Sequence, residues 1–214
     1  MARGSISGQV TADTIEVRYA WGGKVTAVNK RRGDRVKKGE VLASLDRTLL
    51  QKELERQLAD YDKTRAEFEI FAKHHPNPGD DLTTYAKKIE QAQLDISVKD
   101  VEIAKLKLDQ ANLVCPVNGI VTDDGGNRAG LYVTPASNAF TVVDLDSVRV
   151  RIELDPEEVD EWSDGREVKV IADGRELIGK TGVPYPDGKK YILEVIPAET
   201  TGLTSGTKAE IRLQ

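Results

Sequence analysis

The feature that most constrains the fold is a long helical run set between two stretches of β character. Residues 47–113 hold a single glycine, Gly79, and are otherwise dominated by Leu, Glu, Lys, Gln, Ala and Arg, all strong helix formers. Apolar residues recur in steps of three and four through Leu82, Tyr85, Ile89, Ala92, Ile96, Ile103, Leu106 and Leu113, with Lys99 and Gln110 as the polar members of the series. That spacing is a heptad seam. A shorter series runs through Leu54, Leu58, Tyr61, Arg65, Phe68 and Ala72. Between the two, Pro76, Pro78 and Gly79 break the helix, since proline has no amide to donate and glycine no stiffness to lend. The pattern predicts an antiparallel hairpin over residues 47–111, capped by Asp46 or Thr48 at the first helix and by Asp81 at the second. With about 27 residues in its first arm, the hairpin projects roughly 40 Å at 1.5 Å per residue.

A pair of helices has one seam to bury. Leu94, Val98, Val101 and Leu108 lie off the counted stripe, which predicts that they face outward and form lateral contacts with neighbouring hairpins. The tip, from Phe71 to Asp81, stands far from any core. Its residues Phe71, His74, His75, Asn77, Asp80 and Asp81 form the candidate partner-contact surface.

The flanking segments read as short strands joined by tight turns. Before the helices, Val10, Ile15, Val17, Val25, Val36 and Leu42 are separated by glycines at 22, 23, 33 and 39. After them comes an internal repeat. Gly23-Lys24-Val25 precedes Gly33-Asp34-Arg35-Val36, and Gly119-Ile120-Val121 precedes Gly130-Leu131-Tyr132-Val133, one residue further apart. Each half is too small to enclose a core, so the two are expected to pair, with the hairpin inserted at their junction. Beyond residue 148, Val148, Val150, Ile152 and Leu154 alternate with Arg149, Arg151 and Glu153, one buried face and one solvated. Asp155-Pro156-Glu157-Glu158 reads as a capped turn. Strands over 167–172, 191–195 and 208–213 then suggest a small barrel.

Composition removes several function classes. A net charge of −5 and a pI near 5.3 give no global attraction to nucleic acid, whose binding is driven by excess Lys and Arg. The basic run Lys30 to Lys38 reads as a solvated turn or, functionally, as a contact for an acidic neighbour. One cysteine, Cys115, excludes an intrachain disulfide and a cysteine-based zinc site. The two histidines are adjacent at the hairpin tip, away from any nucleophile, so no catalytic residue, cofactor site or metal site is expected. No run of ~18 to 20 apolar residues is present for a membrane span. Any anchor is expected to lie outside the chain.

Two half-motifs around a helical pair resemble the HlyD-type membrane fusion proteins, or periplasmic adaptor subunits. The resemblance rests on Gly23-Lys24-Val25, Gly33-Asp34-Arg35-Val36, Lys38-Gly39-Glu40 and Leu42-Ala43-Ser44-Leu45-Asp46, and on Leu113-Val114-Cys115-Pro116-Val117-Asn118-Gly119-Ile120-Val121. It implies an α+β fold: a mostly-β lipoyl-like (barrel-sandwich hybrid) domain at 9–46 plus 112–146, split by a coiled-coil α-hairpin at 47–111, and followed by a β-barrel at 147–214, to which 1–8 are left open. It further implies a non-enzymatic, extracytoplasmic adaptor on the periplasmic side of the inner membrane. Such an adaptor forms a homo-oligomeric conduit between an inner-membrane transporter of the ABC or RND class and an outer partner. Arg65 is followed four residues later by Glu69, not by the leucine of members that dock on an outer-membrane channel, so that partner stays open. Where the family's second half often carries glycine three residues after its valine, Ala136 stands here. The alternative, a lipoyl or biotinyl carrier with a helical insertion, needs a modifiable lysine where this chain has Leu45-Asp46-Arg47-Thr48.

Overall fold

The computed structural model describes residues 5–76, 79–162, 164–172, 174–200 and 203–213. Strands β1 (Ser5–Thr11), β2 (Thr14–Val17), β3 (Gly23–Val28), β4 (Arg35–Val36) and β5 (Val41–Leu45) precede helices α1 (Thr48–His74) and α2 (Asp81–Asp109). Strands β6 (Asn112–Val114), β7 (Gly119–Asp123), β8 (Tyr132–Val133) and β9 (Phe140–Asp144) follow, then β10 (Arg149–Leu154), β11 (Glu167–Ala172), β12 (Arg175–Thr181), β13 (Tyr185–Asp187), β14 (Lys190–Pro197) and β15 (Lys208–Leu213).

The two half-motifs interlock. One sheet runs β6-β5-β3-β8 and the other β2-β9-β7-β4. If β2–β5 are matched to β6–β9, the pair β3–β8 becomes β7–β4 and the pair β5–β6 becomes β9–β2, so each half lends strands to the other's sheet. Neither half could bury its apolar face alone, and the exchange puts the matched Val25 and Val121, each fully buried, in one core with Val36, Leu42, Val133, Phe140 and Val142. At Ala136 the second half keeps the turn's closing bond, Ser137 N–H to the Thr134 carbonyl at 3.1 Å, as Glu40 N–H keeps its bond to Lys37 at 3.0 Å. Gly39 does so at φ +86°, whereas Ala136 stays out of the left-handed region and Asn138 enters it at φ 55°.

The second core lies inside a six-stranded ring, β10-β1-β15-β11-β12-β14, closed by pairing of β10 with β14, while β13 hangs on β14. Closure leaves no open strand edge in the ring. The alternation read along β10 holds: Val150, Ile152 and Leu154 are buried and Arg151 and Glu153 exposed. Residues 9–11, grouped by the sequence with the sandwich, run in β1 and pair with β10 and β15 instead. The ring needs a strand between those two, and Val10 supplies a buried side chain to its core. Strand β12 escaped the sequence reading because its outward positions include Ile178, 52% exposed, so it lacks clean alternation.

The hairpin leaves and re-enters the sandwich at one level, where the Leu45 amide donates to the Ala111 carbonyl at 2.9 Å. Asp46 accepts from Thr48 N–H at 2.9 Å at the start of α1. Helix α2 is capped by Asp80, not Asp81: its Oδ1 accepts from Thr83 N–H at 2.6 Å, and that bond holds the Asp80 carboxyl below the ordinary carboxylate range. Asp81 is the first helical residue.

Candidate interaction surfaces of the hairpin

The two helices pair along their length, and burial identifies the faces in contact. On α1 the half-buried residues Leu50, Leu54, Gln57, Tyr61, Thr64, Phe68 and Phe71 repeat in steps of three and four. On α2 the matching face is Thr83, Ala86, Glu90, Leu94, Ser97 and Val101, half-buried, continued by the buried Ala104 and Leu108. The expected lateral set is thereby corrected. Leu94, Val98 and Val101 are half-buried and Leu108 is buried, so they belong to the inner side of the hairpin, while the counted seam faces water: Leu82 (81% exposed), Tyr85 (61%), Ile89 (58%), Ile96 (61%), Ile103 (49%) and Leu106 (60%).

The physical reason is the exit of α2. Ala111 and Leu113 are buried in the sandwich core, and at 100° per residue Leu108 and Ala104 fall on the same side as Ala111. That anchor sets the helix phase. It also suits α1, whose bulky Tyr61, Phe68 and Phe71 share the inner side of the hairpin with Ser97, Glu90 and Ala86 of α2. Counting apolar positions found the heptad stripe but not its direction. The shorter series on α1 kept Leu54, Tyr61, Phe68 and Ala72 on the inner side, whereas Leu58 is 44% exposed and Arg65 pairs with Glu69 at 3.0 Å in solvent.

The exposed stripe of α2 lies about 140° round the helix from its inner face. A comparable line on α1 runs through Leu49, Ala59, Ala66 and Ile70, with Lys52, Arg56 and Lys63 between them, all exposed. The hairpin therefore presents one apolar flank on α2 and one mixed, basic flank on α1.

At the tip, Phe71 is half-buried and stacks on His75 with ring centroids 4.5 Å apart. His74 Nδ1–H donates to the Ile70 carbonyl at 2.8 Å and His75 Nδ1–H to Phe71 at 3.2 Å, so both imidazoles finish α1 by covering its last carbonyls. Asp80 is committed to its cap, and His74, His75, Asp80 and Asp81 are exposed. Asn77 lies outside the described residues. No cluster of three metal-ligating side chains occurs among the described residues, nor does any described helix have the length and apolarity to cross a membrane. Cys115 is fully buried; its thiol donates to the Val117 carbonyl at 3.2 Å, and burial pushes its pKa up. In the basic run, Lys30 pairs with Glu40 at 2.7 Å and Arg31 with Asp124 at 3.3 Å, so part of its charge is neutralised internally.

A sandwich of two interleaved halves, interrupted by a helical hairpin and followed by a closed barrel, is the architecture of the membrane fusion proteins. The chain belongs to the CzcB-like barrel-sandwich hybrid domain family, whose model matches residues 13–144. It is 26% identical over 200 residues to the efflux pump periplasmic linker BepD of Brucella suis, a match covering 83% of this chain and 48% of BepD. The chain thus spans about half the length of that relative. Its fold is shared with a putative efflux transporter from Bacteroides eggerthii at a TM-score of 0.82, with 16% identity, covering 98% of this chain and 68% of the other. The membrane fusion protein Spr0693 of Streptococcus pneumoniae superposes with a TM-score of 0.75 and 16% identity, covering 99% of this chain and 98% of that one.

Proposed function

We propose that the chain is an extracytoplasmic adaptor that couples an inner-membrane efflux or secretion transporter, of the ABC or RND class, to an outward partner, and that copies of it stand side by side to form a conduit. The sandwich and hairpin supply lateral contact, the barrel faces the transporter, and the exposed tip meets the outward partner. The modules are 12–46 with 112–146, the hairpin 47–111, and the barrel built from 147–213 with β1. The role is mechanical and not catalytic: His74 and His75 sit at the far end of the hairpin, while Cys115 lies inside the sandwich core. The observation that carries this reading is the outward heptad stripe of α2, because a helix with an apolar stripe facing water calls for another helix to cover it.

The test is co-purification and transport in cells that produce this chain together with a candidate transporter of the ABC or RND class. Replacing residues 74–80 by a short turn should abolish transport and leave both co-purification and the melting temperature nearly unchanged. Transport at the wild-type rate, or a melting temperature lowered by many degrees, would remove the tip from this role.

A further inference from the structure

Two adjacent imidazoles close the last turn of α1. His74 covers the Ile70 carbonyl at 2.8 Å and His75 the Phe71 carbonyl at 3.2 Å, each through Nδ1–H, while the His75 backbone amide donates to the same Phe71 oxygen at 3.0 Å. Each side-chain bond uses one ring nitrogen and leaves Nε2 to take a proton, so the bonds survive when the ring becomes a cation. Beside the rings lies an open hollow of about 400 Å³, lined chiefly by Glu67, Ile70, Phe71, His74, His75 and, from α2, Glu90.

A cation at this place is attracted from several sides. The final carbonyls of α1 carry the negative end of the macrodipole of a 27-residue helix. Glu67 and Glu90 bring carboxylates to the hollow, and Glu90, half-buried, makes no salt bridge among the described residues. At the start of α2, with Asp81 next to it, the Asp80 carboxyl is held low chiefly by its bonds from Thr83 and in addition by His75. The Phe71 ring, stacked on His75 with centroids 4.5 Å apart, favours a cation over its face. The opposing charges are further off or already engaged. Lys73 stands beside His74 but is exposed, while Lys63 pairs with Glu67 at 3.8 Å and Arg65 with Glu69 at 3.0 Å. On α2, Lys88 lies over the Tyr85 ring, and Lys87 is turned about 120° round the helix from Gln93, which borders the hollow.

We propose that His74 and His75 make the hairpin tip acid-responsive: protonation of the two rings fastens the last turn of α1 to the start of α2, and loss of the protons lets that turn fray. Histidine is the side chain that changes charge between about pH 5 and about pH 8. The attractions described above act only while a ring is charged, so order at the tip grows as pH falls through that range and is lost as pH rises. A tip ordered in advance lowers the entropy cost of any contact made through it. The device belongs to the chain itself and holds whatever the tip meets.

Hydrogen exchange in the purified chain, followed from milliseconds to hours and corrected for the intrinsic pH dependence of amide exchange, tests it. Between about pH 8 and about pH 5.5, protection of the amides of residues 72–75 should rise about three- to tenfold, the effect of two cations at a helix end. Protection around Leu54 and Leu106, near the root, should stay constant over the same range. Asparagine keeps a donor near the position of Nδ1 and takes up no proton, so in His74→Asn/His75→Asn the tip should be equally protected at both pH values. Protection of residues 72–75 that ignores pH in the native chain, an equal rise in the double variant, or an equal rise at the root would each overturn the proposal.

Discussion

Gly33 donates its amide to the Val121 carbonyl at 2.7 Å, and the matched pair in the other half, Gly130 and Val25, repeats the bond at 2.8 Å. Both glycines hold positive φ, +93° and +90°, and a side chain at either would meet nothing within 4 Å. The cost of Gly33→Ala or Gly130→Ala is therefore conformational, about 1–2 kcal/mol, and nearly equal at the two sites. Gly119→Ala should cost more, since its Cβ would collide with the Val143 carbonyl. Urea midpoints of the three variants check the ranking.

Ile96 and Val101 stand on opposite sides of α2, one exposed and one half-buried. Ile96→Glu should leave the melting temperature unchanged and reduce concentration-dependent association. Val101→Glu should do the reverse, lowering the melting temperature by placing a carboxylate against α1. Leu108→Ala, at a buried position, should cost about 2–4 kcal/mol. Thermal melts alongside sedimentation velocity separate the two kinds of effect.

Tyr19 donates its phenol to Asn127 Oδ1 at 3.1 Å in the sandwich core, and burial pushes its pKa up to about 12. Tyr19→Phe leaves that buried acceptor without its donor and should cost about 1–3 kcal/mol. The raised pKa means that the folded state keeps a proton which the unfolded chain releases near 10, so stability should fall as pH rises from about 10 towards about 12. In Tyr19→Phe this part of the alkaline decline should disappear from the pH dependence of urea unfolding.

Arg149 binds Asp13 through two bonds, 2.6 and 3.1 Å, and Glu194 at 3.0 Å. It thereby ties the crossing between β1 and β2 to the barrel. The Arg149 hydrogen bond holds the Asp13 carboxyl below its ordinary value of 3.8, so the contribution is complete above that pH and is lost as pH falls through the lowered value. Arg149→Gln should widen the distance distribution between spin labels on hairpin and barrel without a large change in melting temperature. An unaltered distribution would mean that backbone pairing alone sets the angle.

The parts most legible in the sequence were those written in local chemistry. The repeat around Gly33 and Gly130 announced two cooperating halves, the proline-rich break announced the hairpin, and the alternation from Val150 to Leu154 announced a barrel strand. Facing was less legible. On α2 the larger apolar residues turn to solvent, because Ala111 and Leu113, beyond the helix, decide its rotation. A heptad count sees period without phase. Similarly, Trp21, Leu49 and Tyr132 belong to three separate elements, and no local pattern announces their meeting around one recess at the root.

The two flanks of the hairpin are not diametrically opposed. Each lies about 140° from its helix's inner face, and the antiparallel pairing tilts both towards the same side. Copies joined flank to flank, as proposed, would not extend as a flat palisade: each addition would bend the row in one direction, and such a row closes into a ring where the rotation per copy allows it and otherwise winds into a helix. The bend of such a row would be set by the rotation of α2 that Ala111 fixes.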